Sequence, residues 1–173
     1  MHKKENVPMD LIAVAKEHAM DAHEGLFDLA GEPYVHHLET VVEITKRITD
    51  DEMTIAIAWL HDIVEDTLDT FGDLIIQGYP DEVIGGVKQM TRPKGYSYKK
   101  YIEEMTNPRA RIVKIADLLH NQDDSRLPVE KRNADRRAKY HRALVELVGD
   151  EITTKALLDD YEEHKKTKES TIK

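Results

Sequence analysis

Apolar positions recur at helical spacing along almost the whole chain. From Met9 to about Glu24, Leu11, Ile12, Ala15, Ala19 and Ala22 form a narrow stripe punctuated by Pro8 and Gly25. Gly25 to Pro33 reads as a loop. Tyr34 to about Ile48 turns Leu38, Val41, Val42, Thr45 and Ile48 to one side. Asp50 or Asp51 caps a third, central helix that runs to about Asp66 and is apolar nearly all round, the pattern of a buried helix. Thr70 to Gln77 predicts a short helix stopped by Gly78, and Pro80-Asp81 opens another. Thr91 to Tyr96 is a loop, Ser97 caps a helix reaching Met105, and Asn107-Pro108 starts one ended by Pro128. Asn133 to Val148 and Glu151 to Glu163 are the last helices. No alternating strand pattern and no internal repeat is present. The expectation is one all-α domain, a helical bundle over 9–164, with an N-terminal extension at 1–8 and a mobile polar tail at 165–173.

Composition narrows the classes of partner. A formal net charge of -9 argues against general nucleic-acid binding, which needs clustered Lys and Arg. No stretch approaches the roughly 20 apolar residues of a membrane span, and no signal-peptide core is present. The absence of Cys excludes disulfides, thiolate metal sites and a Cys nucleophile, and fits a cytoplasmic protein. The composition leaves a homo-oligomer open.

The chemistry sits where the apolar pattern is interrupted. Ala58 to Thr67 places His61-Asp62 and Glu65-Asp66 inside an apolar run, where each charge must be paired or ligate a metal. On a continuous helix His61 and Glu65, and Asp62 and Asp66, stack one turn apart. Asp117 interrupts a second apolar helix, with Asn121 one turn on, and His36-His37 open the helix after Pro33. A structural ion pair is the rival reading for His61-Asp62 alone, but several acids on apolar helices cannot pair with one another, and Lys114 is the only cation in those windows. Two imidazoles, one of them from His36 or His37, with Asp62 and Asp117 suit Mn²⁺, Fe²⁺ or Zn²⁺ better than Ca²⁺. A water activated there becomes a nucleophile at neutral pH, with Glu65 and Asp66 orienting it or taking its proton. His2, His18, His23, His120, His141 and His164 read as surface or packing residues.

These blocks resemble the HD-domain metal-dependent phosphohydrolases, above all the hydrolase domain of the RelA/SpoT alarmone enzymes and their small SpoT-like relatives. The resemblance covers about Met9 to Val148. It rests on Gly31-Glu32-Pro33-Tyr34-Val35-His36-His37, His61-Asp62-Ile63-Val64-Glu65-Asp66-Thr67, the Thr91-Arg92 loop and Lys114-Ile115-Ala116-Asp117-Leu118-Leu119-His120-Asn121. It implies a ligand set of His37, His61, Asp62 and Asp117, a water-handling pair in Glu65 and Asp66, a substrate contact at Asn121, and Mn²⁺. The implied reaction is hydrolysis of the 3′-pyrophosphate of (p)ppGpp. No synthetase half is expected, since the chain ends soon after the hydrolase-like region.

Two features bear on the substrate. Where the family carries a Gln-x-Arg-Lys stretch whose Arg packs on guanine, this chain has Leu26-Phe27-Asp28-Leu29, so an acid replaces a cation. Basic residues gather before Asp117, and Arg92, Lys94 and Tyr98 are the candidates to hold phosphate and base. The run containing Arg126, Arg132, Arg136, Arg137 and Arg142 reads as a solvated face. The expectation is a metal-dependent phosphohydrolase of a phosphorylated nucleotide, led by an alarmone. Its rivals are an HD phosphatase of another nucleotide, including a nicotinamide dinucleotide phosphate, and a low-turnover metal- and nucleotide-binding regulator.

Overall fold

The computed structural model describes residues 10–171; the expected extension at 1–8 and the last two residues lie outside them. Helices α1 (Leu11–Ala22), α2 (Val35–Ile48) and α3 (Glu52–Leu60) are followed by the single turn α4 (Ile63–Asp66), then α5 (Phe71–Ile76) and α6 (Asp81–Met90). Next come α7 (Tyr98–Glu103), α8 (Pro108–Asn121), α9 (Ala134–Val148) and α10 (Glu151–Thr171). Among the described residues the fold is all-α, as the periodicity predicts, with one isolated bridge between Phe27 and Pro33 closing the α1–α2 loop.

Helix α3 is the axis of the bundle. Every residue from Thr54 to Leu60 is buried, because α1, α2, α6 and α8 all pack on it. Asp51 accepts from the Thr54 N–H at 3.0 Å and so caps its start. Gly86 lets α6 come close to α3: a Cβ there would stand 2.2 Å from Ile57 Cδ1. Helix α8 lies against α2 and α3, and α9 covers α8 from the far side.

The central helix does not continue to Asp66. It ends at Leu60, and Asp62 sits at φ -103°, ψ 0° before α4 resumes. The Ala58 carbonyl, which a continuing helix would give to the Asp62 N–H, accepts from the His61 ring Nδ1 at 2.8 Å. The break has a purpose for the site. Consecutive helical side chains point about 100° apart and cannot meet, whereas here His61 Nε2 and Asp62 Oδ2 approach to 2.8 Å.

The expected polar tail from Lys165 is helical as far as it is described. Helix α10 runs on through Thr171. Lys165 Nζ reaches Asp123 Oδ2 at 2.7 Å and Ser125 Oγ at 2.6 Å, and Lys168 pairs with Glu43 of α2. Cations that are merely polar in sequence meet acids of distant segments here.

Candidate metal centre and substrate cavity

Four side chains converge where α2, the α3–α4 break and α8 meet. His37, His61 and Asp117 each offer a ligand atom within 4.8 Å of the others, all of them buried. Asp62 stands beside them, its Oδ2 lying 3.5 Å from His37 Nε2, and Asp117 Oδ1 lies 3.4 Å from the same nitrogen. His36, the alternative on spacing, is 58% exposed beside Glu32, against 3% for His37.

Each donor is oriented from behind. His61 commits Nδ1–H to the Ala58 carbonyl and His37 turns Nδ1 to His120 Nδ1 at 2.7 Å, so both present Nε2 to the centre. Burial, with the charges of His37 and Arg126, lowers His120 to about 3, so it stays neutral and accepts the His37 proton. Burial works against a charge on His37 too, but the Asp117 and Asp62 carboxylates outweigh it and raise the ring to about 9. Tyr34 donates its hydroxyl to Asp62 Oδ2 at 2.6 Å, and its ring stacks on His23. Asp117 Oδ2 accepts from Lys114 Nζ at 2.8 Å, and Oδ1 accepts from the Asn121 amide. Burial raises Lys114's cost of charge, yet Asp117 holds it protonated, well above the usual range.

Two imidazole Nε2 atoms, facing Asp62 Oδ2, which also accepts from Tyr34, and Asp117 Oδ1, which also accepts from Asn121, form a donor set that fits a divalent ion of the borderline-to-hard kind.

Glu65 and Asp66 follow on α4, lining the same cavity without joining the His37–Asp117 contacts. Glu65 Oε1 accepts from the Arg92 N–H, tying α4 to the loop after α6. Burial holds Glu65 above the usual carboxylate range, the Arg92 contact opposing and the Asp62 charge adding; burial and Asp62 raise Asp66 likewise.

Above the centre is a cavity of about 440 Å³. Arg92, Tyr98 and Asn121, expected from the sequence to meet substrate, line it; so do Lys114, Arg126, Lys139 and Tyr140. Lys94 does not. It sits exposed on the turn that Gly95 makes at φ 78°, where Tyr96 N–H bonds Pro93 O. Asp28 does line the cavity, but its carboxylate is engaged: Oδ1 accepts from the N–H groups of Ala30 and Glu32 at 2.8 and 3.0 Å, and Oδ2 pairs with Arg126. Arg126, read from sequence as part of a solvated face, is thus a half-buried cation in the cavity wall.

The residues that sequence reading passed over are His120, Tyr34, Arg126, Lys139 and Tyr140. Tyr34 stood inside the Pro-Tyr motif and His120 three residues after Asp117, so both carried a local signal. Arg126, Lys139 and Tyr140 carried none.

Fold and centre together define an all-helical protein with a His/Asp metal site. The chain belongs to the HD domain family, whose sequence pattern matches residues 15–142. It is 33% identical over 135 residues to the probable GTP pyrophosphokinase of Mycobacterium leprae, which covers 72% of this chain and 17% of that protein. It is 33% identical over 119 residues to the guanosine-3′,5′-bis(diphosphate) 3′-pyrophosphohydrolase of Haemophilus influenzae, covering 60% of this chain and 17% of that one. The chain therefore spans about a sixth of the length of these relatives. A solved structure of a metazoan SpoT ortholog that hydrolyses ppGpp superposes with a TM-score of 0.70 at 28% identity, covering 91% of this chain and 97% of that one. The resemblance expected from the motifs is met.

Proposed function

We propose that this chain is a metal-dependent phosphohydrolase that removes the 3′-pyrophosphate of an alarmone of the (p)ppGpp type and acts in the cytoplasm. The observation that carries this reading is one cavity with His37, Asp62 and Asp117 on its floor, His61 buried against them, Glu65 and Asp66 beside them, and Arg92, Lys114 and Lys139 on its walls. In this reading His37, His61, Asp62 and Asp117 hold the ion, Mn²⁺ being the leading candidate and Fe²⁺ or Zn²⁺ the rivals. Bound there, a divalent ion supplies Lewis acidity that lowers the pKa of a water and polarises a phosphoryl oxygen.

The protein's own groups do the rest. Glu65, with Oε1 held by the Arg92 N–H, keeps Oε2 to receive the proton of the attacking water, and burial gives it the raised basicity the task needs. Asp66 orients that water. Lys114, pinned between Asp117 and the Tyr101 ring at 5.6 Å, places a fixed charge beside the reacting phosphate. Arg92, its guanidinium 5.9 Å from the Tyr98 ring centre, holds the departing pyrophosphate. Asn121 both orients Asp117 and faces the substrate.

One observation favours a broader nucleotide phosphatase as the second reading. Asp28 is engaged with Arg126 and two backbone amides, so it has no free edge for a base. Base discrimination by that loop is then weak, and guanine and adenine 3′-pyrophosphates should differ by less than about tenfold in kcat/KM. The test is the metal-loaded protein against a panel of nucleotides, with pyrophosphate and orthophosphate read separately. Pyrophosphate from ppGpp or ppApp supports the first reading, and orthophosphate from ordinary nucleotides or a nicotinamide dinucleotide phosphate supports the second. Release of neither sinks both and leaves a low-turnover binder.

A further inference from the structure

A second cavity lies on the far side of His120 from the metal centre. It measures about 330 Å³ and is bounded by α2, α10 and the 123–126 segment. Two side chains join it to the site already described. His120 lines it while turning Nδ1 to His37 at 2.7 Å, and Arg126 lines both this cavity and the substrate cavity.

His120 brings an unused donor to this space. The residue is only 8% exposed. Its Nδ1 accepts from His37 Nδ1–H when His37 presents Nε2 to the centre, so its own proton sits on Nε2. Among the described residues that N–H has no partner, yet it is not one of the polar atoms sealed from solvent. Its opening is this cavity. A donor buried to this degree ordinarily has an acceptor. Arg126 Nε, which is sealed, is a second N–H without one.

The acceptors of the wall are already engaged. Asp123 takes Lys165 Nζ at 2.7 Å and the hydroxyls of Ser125 and Tyr161. Glu43 is paired with Lys168. Glu169 is left, exposed on α10. With Arg47 and Arg126 the lining holds four cations to these three carboxylates. The acceptor for His120 is then supplied from outside the protein, and the charge balance favours an anion. A donor set by cations suits an oxyanion with several acceptor oxygens.

We propose that this rear cavity is a second anion site, which takes a small phosphate-type oxyanion on His120 Nε2–H and passes its effect to the metal centre through His37. An acceptor on Nε2–H makes Nδ1 of the same ring a better acceptor. The bond from His37 Nδ1–H tightens, and His37 Nε2 becomes a stronger donor to a metal. Anion and metal then strengthen each other's binding by the same factor. The coupling rests on the reading of His37 as a metal ligand; the anion binding does not.

The test follows the His120 ring by nitrogen NMR of histidine-labelled protein, titrated with inorganic phosphate with and without Zn²⁺. Phosphate can also enter the substrate cavity, so Arg92→Met weakens that route and Arg47→Met with Lys168→Met weakens the rear one. The Nε2 resonance should move saturably in wild type and in Arg92→Met. The double variant should weaken that binding about tenfold or more. Zn²⁺ should tighten it about fivefold or more in wild type. A resonance that does not move, that moves as readily in the double variant, or that loses its response in Arg92→Met overturns the site. Saturable binding that Zn²⁺ leaves unchanged overturns the coupling. Thermal unfolding checks each variant; if the double variant does not fold, the two substitutions are read singly, and wild-type binding in both overturns the site. No substrate is turned over in this measurement, so a protein without hydrolase activity leaves its result standing.

Discussion

His37 and His120 face each other through their Nδ1 atoms at 2.7 Å, with ring centroids 4.9 Å apart. One imidazole thereby fixes the tautomer of the other, and His37 keeps Nε2 free for the centre. Partners of this kind typically change metal affinity 10- to 100-fold when removed. His120→Ala should weaken metal binding by about that range, measured by competition with a chelating dye. His120→Asn, which can still offer an oxygen to the His37 N–H, should recover part of the loss. Wild-type affinity in His120→Ala would mean that His37 is oriented by packing alone.

Glu65 and Asp66 should separate chemistry from metal binding. Glu65→Gln and Asp66→Asn should lower kcat by about 10²- to 10⁴-fold while elemental analysis finds the metal content nearly intact. His61→Ala should instead strip the metal. If Glu65→Gln loses the ion, that residue is a ligand. If both acid variants keep full rate, the proton acceptor lies elsewhere.

Gly86 tests the contact between α3 and α6. Glycine to alanine inside a helix ordinarily stabilises by about 1 kcal/mol. Here the new methyl meets Ile57 Cδ1 at 2.2 Å and Cγ1 at 2.7 Å in a fully buried core. Overpacking of that kind costs about 1–3 kcal/mol, so Gly86→Ala should be destabilised in urea unfolding. Combined with Ile57→Ala, which removes the clash, its cost should fall well below the sum of the single variants. Strict additivity would show that Ile57 gives way freely.

Asp51 carries a pH signature. Hydrogen bonds from Arg109, at 2.7 Å, and from Thr54 draw its carboxyl down to about 2 from an ordinary 3.8. A depressed pKa in the folded state means that its stabilisation is complete above about pH 5 and is lost as pH falls towards about 2. The urea midpoint of wild type should therefore exceed that of Asp51→Asn at pH 6, and the gap should close on acidification through this window. A gap independent of pH would remove the Arg109 pair as its cause.

What the sequence determined is local. Helical periodicity, the caps at Asp51, Ser97 and Asn107 and the breaks at Gly and Pro follow from contacts within a few residues, so the elements could be read directly. The proposed ligand set was drawn from the sequence for a related reason: His61, Asp62 and Asp117 interrupt apolar helices, and burial of such groups requires a partner. The tertiary structure decided the rest. The choice of His37 over His36 on physical grounds needed the packing of α2 on α8. The break after Leu60 arises because the His61 ring competes for the Ala58 carbonyl, a choice that apolar spacing does not encode. His37 meets His120 across 83 positions and Asp28 meets Arg126 across 98, and no local pattern records such pairs. The same holds for Lys139, which in sequence is one more cation on a polar helix face. Its place over two tyrosine rings exists only because α7 and α9 bring Tyr98 and Tyr140 together beneath it.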